Sequence, residues 1–155
     1  MESIQENLLS DLESNLVVAS KGQRFLNYII DFICFLVVLF TIGVVIGIMN
    51  PSLIDGISNM NPLMDRLFTL FFFGIFMGSI EAISKGRSLG KLITGTKAVN
   101  QDGTIITPAT AFARGFCRAV PFNPLSALGN PSYPWHDKWT KTYVIDIKDS
   151  LVLNK

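Results

Sequence analysis

The stretch FICFLVVLFTIGVVIGIM, Phe32–Met49, decides the fold because it contains no charged residue. Extended back to Phe25 it reaches about 25 residues, enough at ~1.5 Å per residue to cross a hydrocarbon core of ~30 Å. Asn50-Pro51 ends it, since proline cannot continue a helix and restricts the residue before it. Residues 50–66 are rich in Asn, Ser, Pro and Gly and read as a short loop. A second apolar block follows, LFTLFFFGIFMGSIEAI, Leu67–Ile83. At about 17 residues it meets the lower limit for a span. Leu63 and Met64 extend it, with Asp65 and Arg66 reaching the interface. The expectation is therefore a mainly α membrane protein: a two-helix transmembrane hairpin with spans at about 25–49 and 64–83.

Composition supports that reading. Of 155 residues, 49% are hydrophobic and 16% charged, and the mean hydropathy is +0.41. A soluble domain carries roughly 25% charged residues. A soluble two-helix core would not need its apolar residues in two blocks of bilayer length. The net charge is only +1, which gives no global case for nucleic acid. Cys34 and Cys117 lie far apart, and His136 has no nearby Cys or His, so neither a disulfide framework nor a metal site is expected.

Basic residues set the expected orientation. Lys21 and Arg24 precede the first block, and Lys85, Arg87 and Lys91 follow the second, whereas the loop between them has only Arg66. The positive-inside rule then puts both tails in the cytoplasm of a cell (inner) membrane. Residues 1–20 are acidic and lack the basic start and small-residue cleavage site of a signal peptide. They read as a cytoplasmic tail, with a short amphipathic helix at 4–18. The membrane domain is expected over 21–147, and 148–155 as a C-terminal tail.

The segment after the hairpin is not a simple span, because Lys97, Asp102, Arg114 and Arg118 interrupt it. Thr96–Val99 and Thr104–Ile106 flank Asn-Gln-Asp-Gly, which predicts a small β hairpin. Thr142–Ile147 could add a third strand. Thr107-Pro108 signals a helix start, and that helix runs to about Val120. Its arginines share one face and Phe112, Phe116 and Ala119 another. Two readings are open: an interfacial helix with arginines toward lipid phosphates, or a helix packed on the small sheet. Residues 121–134 are uncharged and proline-broken, which fits a re-entrant or interfacial loop. Tyr133, Trp135, Trp139 and Tyr143 look like interfacial anchors.

Several residues carry chemistry. Arg24, Asn27, Tyr28 and Asp31 form one polar stripe at i, i+3, i+4 and i+7. Asp31 lies about two turns into the span, where an unpaired charge costs several kcal/mol. It should have a partner, with Arg24, Lys91, Arg114 and Arg118 as candidates. The stripe is either a proton- or ion-sensitive site or a buried pair docking the tail. Glu81 has Lys85 at i+4, which predicts a local ion pair. Glu81 facing Asp31, with a shared proton, is the alternative. Gly43/Gly47 and Gly74/Gly78 each allow close backbone approach, to the other span or to a second copy. Gly86–Lys91 lacks the spacing of a phosphate loop and has no preceding strand, so no nucleotide is expected and a tight basic turn is the simpler reading. His136-Asp137 could be an acid–base pair, but no motif supplies a positioned nucleophile. No catalytic residue and no cofactor are expected.

Together these residues resemble the RDD family of bacterial membrane proteins, named for an arginine and two aspartates. Arg24 and Asp31 match the first two, and Asp137, in Trp135-His136-Asp137-Lys138, matches the third. Gly86–Lys91, Thr94-Gly95-Thr96-Lys97, Asp102-Gly103 and the Arg114/Arg118 helix follow in the same order, over residues 18–147. Many members have a third hydrophobic stretch before the His-Asp pair; here it is short and proline-broken. The resemblance implies at most a role in ion or proton-coupled transport, and it singles out Arg24, Asp31 and Asp137, with Asp137 close to Arg24 or another inner-surface arginine. Two helices cannot enclose a polar path, so transport would require a homo-oligomer or a larger membrane complex. The other class is a non-catalytic scaffold whose basic face binds lipid or a partner.

Overall fold

The computed structural model describes residues 16–129 and 133–150. The expected helix at 4–18, except for its last three residues, falls outside them, as does most of each terminal tail.

Helix α1 spans Lys21–Met49. Ser20 starts it with a capping box: its side chain accepts from the Gln23 backbone while Gln23 reaches back to the Ser20 N–H. At ~1.5 Å per residue its 29 residues exceed a ~30 Å core. The polar stripe therefore occupies the surplus turns at one end. Helix α3 spans Pro62–Ile83, with Asn61 capping and Pro62 at the first position. Both are long and apolar enough to cross a membrane.

The connection between them is not the irregular loop its composition predicts. Pro51–Ser58 form helix α2. Proline is tolerated at a first helical position because that N–H has no intrahelical acceptor, so Pro51 starts a helix as well as ending one. Ile54 then lies over Gly47, where an added Cβ would sit 3.7 Å from its side chain.

The two long apolar helices touch mainly through aromatics. Phe35 meets Phe73 edge-on at 5.1 Å and Phe76 at 5.5 Å, over buried Met77. The more intimate partner of α3 is helix α5, Pro108–Ala119. Phe112 lies on Gly78 and Phe116 on Gly74, so the helices run antiparallel. A Cβ on Gly115 would sit 2.3 Å from the Gly74 carbonyl oxygen. The glycine pair on α3 thus receives α5, neither the other span nor a second copy. Gly43 meets nothing within 4 Å.

This corrects the interfacial reading of 108–120. The helix is amphipathic, but its charged face points inward: Arg114 is fully buried, while Phe112 and Phe116 remain partly exposed. An arginine face can turn inward only if carboxylates meet it, and they do.

The sheet also differs from expectation. Strand β1, Thr96–Asn100, pairs with β2, Thr142–Asp146, antiparallel, from Thr96↔Asp146 to Asn100↔Thr142. Thr104–Ile106 contributes one bridge, Val99↔Ile105. The Asn100–Gly103 turn does form, with the Asn100 N–H donating to Thr104 O at 2.9 Å. Thr107 already caps α5, so too few residues follow the turn to extend a local hairpin. The far strand supplies a full ladder instead. On its other side β2 meets residues 17–19, with the Ala19 N–H bonded to Val144 O at 2.9 Å. A short helix α4, Leu89–Thr94, precedes β1. A 3-10 segment, Asn123–Leu128, and helix α6, Trp135–Trp139, precede β2.

Candidate functional site

Three carboxylates and four cations, all buried or nearly so, meet where α1, α3, α4, α5 and α6 converge. Residues of α1 at the expected spacing point inward: Arg24, Asn27 and Asp31 are buried. Tyr28, the fourth member of the stripe, remains 37% exposed.

Arg24 ties three segments together. Its Nη1 donates to Asp137 Oδ2 at 2.5 Å, its Nε to Ala19 O at 3.2 Å and its Nη2 to Val144 O at 3.2 Å. Asp137 accepts from Arg114 Nη1 on its other oxygen at 2.7 Å, and Arg114 Nη1 also bonds to Thr142. Through Nε, Arg114 reaches Glu81 Oε2 at 2.9 Å. Glu81 takes two more cations on Oε1, Lys91 and, at 2.5 Å, Arg118 Nη2. Arg24, Asp137, Arg114 and Glu81 therefore form one continuous chain. Arg114 Nη2 has no partner among the described residues.

Two expectations for Glu81 fail. Its partner is not Lys85, which is exposed at a positive φ of 51° past the helix end. Nor does it share a proton with Asp31, because the Arg118 guanidinium stands between them. Lys91, Arg114 and Arg118 act as ion-pair partners, and Arg114 is inaccessible to lipid.

Asp31 is partnered differently. Its Oδ1 accepts the Gly90 N–H at 2.8 Å, and its Oδ2 lies 4.0 Å from Arg118 Nη1. Arg24 is not its partner. The Gly90 contact depends on glycine, since a Cβ there would lie 2.5 Å from the Asn27 carbonyl oxygen. Gly86–Lys91 is thus more than a surface turn: it delivers a backbone donor and a buried lysine. Asn27 is held by Thr94 Oγ1 at 2.5 Å and by Thr96 Oγ1 at 2.9 Å.

Electrostatics follow the packing. Burial pushes Lys91 down, and the Arg118 and Arg114 charges add to that; Glu81 opposes them, leaving it at about 7. Burial alone would raise Asp137, but the Arg114 and Arg24 guanidiniums outweigh it and hold its carboxyl below the ordinary range. Burial drives His136 well below the usual histidine value despite neighbouring Asp137, so the ring is neutral near pH 7. Its Nδ1 lies 3.1 Å from the Asn123 side-chain nitrogen and its Nε2 3.5 Å from Asp137 Oδ1.

A cavity of about 440 Å³ opens beside this network. Asp31, Arg118 and Lys91 line one side, Phe73 and Met77 another, and Phe122 and Leu125 the 3-10 segment. Among the described residues, Asp31 is the one carboxylate in that lining.

Among the described residues, no three His, Cys, Asp or Glu side chains gather as a metal site would require. Residues that sequence reasoning missed are Gly90, Asn123, Thr94, Thr96 and Thr142, which act as backbone donor or hydrogen-bonding supports.

The RDD family matches residues 18–145 of the chain. The chain belongs to the RDD family. That match covers both long apolar helices, the charge network and the sheet apart from Asp146. No curated protein and no solved structure matches the chain. It is accordingly a membrane-associated RDD protein, and its Arg24, Asp31 and Asp137 occupy one buried cluster.

Proposed function

We propose that this RDD protein is a non-catalytic component of ion or proton-coupled transport in the cell (inner) membrane. It crosses twice with both termini cytoplasmic and acts as a homo-oligomer or within a larger membrane complex. The observation that carries this reading is the inequality among the three carboxylates. Glu81 has three cationic partners and Asp137 two. Asp31 has one backbone N–H and an arginine at 4.0 Å, and it borders the cavity. A buried carboxylate with spare acceptor capacity can take a proton or a small cation. The saturated pair cannot do so without breaking the network. Acids within membrane helices that face the protein interior commonly serve this role.

Arg24, Asp137, Arg114 and Glu81 then have a structural task, holding the tail against the hairpin. His136 orients against Asn123 and supports Asp137. Trp135 and Trp139 stack at 5.7 Å and are exposed, which suits anchoring at the membrane interface.

The test is proton and sodium flux into proteoliposomes containing the purified chain, compared with Asp31→Asn. The asparagine keeps an oxygen for the Gly90 N–H, so it should fold. Flux in the wild type that drops at least tenfold in the variant is expected. Absent flux from folded wild type would favour a scaffold that binds lipid or a partner through its basic face.

A further inference from the structure

The cavity has a chemical character that cation handling at Asp31 does not explain. The buried cluster holds four cations, Arg24, Lys91, Arg114 and Arg118, against three carboxylates, Asp31, Glu81 and Asp137. With Lys91 protonated it is one positive charge in excess. Arg118 and Lys91 border the cavity, and Lys21 stands in its lining at the start of α1. Arg118 has further N–H groups, yet among the described residues it donates only to Glu81. Its side chain is 11% exposed, and a partly desolvated guanidinium with free N–H groups favours an added anionic acceptor. The rest of the lining is largely apolar. Phe25 and Tyr28 come from α1, Phe73 and Met77 from α3, Phe122 and Leu125 from the 3-10 segment.

Phe122 adds an independent sign of a built site. It is 71% exposed and holds a φ of +66°, a backbone region that bulky side chains rarely adopt. Such strain concentrates at ligand clamps. Here it sets an exposed ring in the lining of a cavity that already carries unmatched positive charge.

We propose that this cavity binds an anionic membrane lipid, with the headgroup phosphate against Arg118 and Lys21 and one acyl chain along Phe25, Phe73, Met77 and Leu125. The volume suits part of a lipid, since small-molecule sites run from ~300 to ~1,000 Å³. Charge complementarity selects an anion: Lys21, Lys91 and Arg118 outnumber the single carboxylate of the lining. The apolar walls select an amphiphile over a free ion. A bidentate guanidinium–phosphate contact is the favoured geometry for such a headgroup. The inference stands apart from the transport reading and needs no flux.

The test is native mass spectrometry of the full chain in nonionic detergent, titrated with phosphatidylglycerol, phosphatidylcholine or glycerol phosphate. Retention of one phosphatidylglycerol at least tenfold better than phosphatidylcholine is expected, with no retained glycerol phosphate. Lys21→Gln should weaken the preference about threefold to tenfold, and Leu125→Glu should abolish retention. Both positions are exposed, so the variants should fold. Equal retention of the two lipids would overturn the proposal, as would unchanged retention in both variants. Glycerol phosphate held as well as the lipid would replace it with a free-anion site.

Discussion

The two ends of the long apolar helices are stabilised by different means. In the half around Glu81, α3 is sheathed by α5, glycine backbones come into contact and seven charged side chains neutralise one another apart from a single surplus. In the half around Gly43, a Cβ on that glycine would meet no described residue within 4 Å, and Phe40 and Ile48 are more than 70% exposed. A soluble protein could not leave such a surface bare, and a bilayer covers it without any contribution from the chain. The sequence-specific interactions are therefore concentrated in one half, and that half holds the buried charge network.

The largest effect should come from breaking the charge chain at its centre. Arg114→Met strips Glu81 and Asp137 of a shared partner, and uncompensated buried charge costs about 3–5 kcal/mol. Titration with denaturing detergent should show that loss. Arg66→Met, on the other half, should be nearly silent. A silent Arg114 variant would dissolve the contrast between the halves.

Next is a pair of glycine substitutions. Gly115→Val drives side-chain atoms into the Gly74 carbonyl, and overpacking of this kind costs about 1–3 kcal/mol. Gly43→Ala meets no neighbour and should shift the unfolding midpoint by no more than about 0.5 kcal/mol. Equal effects would show that α1 is contacted in the other half too, as a tight oligomer would require.

A smaller effect should come from pH. His136 is depressed well below 6.5, so the unfolded chain binds that proton more readily. The stability it supports is present above about 6.5 and is lost as pH falls below it. Lys91, depressed from 10.5 to about 7, adds stability as pH rises between those values, by the same sign rule. Unfolding midpoints should therefore climb from mildly acidic to alkaline pH. His136→Asn should flatten the acid limb and Lys91→Met the alkaline limb. A midpoint that falls with rising pH would contradict the assigned burial.

Much of this was legible in the sequence, for physical reasons. The charge-free run Phe32–Met49 and a second apolar block carrying only the charge of Glu81 announce the two long apolar helices, and Thr107-Pro108 announces α5. The i, i+3, i+7 spacing put Arg24, Asn27 and Asp31 on one face, and the motif order pointed to the family. What periodicity cannot give is a partner. Arg24 and Asp137 are 113 residues apart, and nothing local distinguishes Asp137 from Asp31 as the acceptor. The same gap explains α5: an amphipathic pattern gives two faces but not which one turns inward. That is decided by Glu81 and Asp137, which belong to other elements. β1 likewise preferred a distant strand because α5 begins too soon after the turn. Gly90 was invisible as a donor because its contribution is a backbone N–H.

The central claim is that one carboxylate of the three is open while the other two are locked. Reaction of the membrane-embedded protein with a hydrophobic carbodiimide, mapped by peptide mass spectrometry, tests it directly. The account predicts modification at Asp31, slowed by added cation, with Glu81 and Asp137 unmodified. Modification of Glu81 or Asp137 as fast as Asp31, or an Asp31 that never reacts in folded protein, would contradict it.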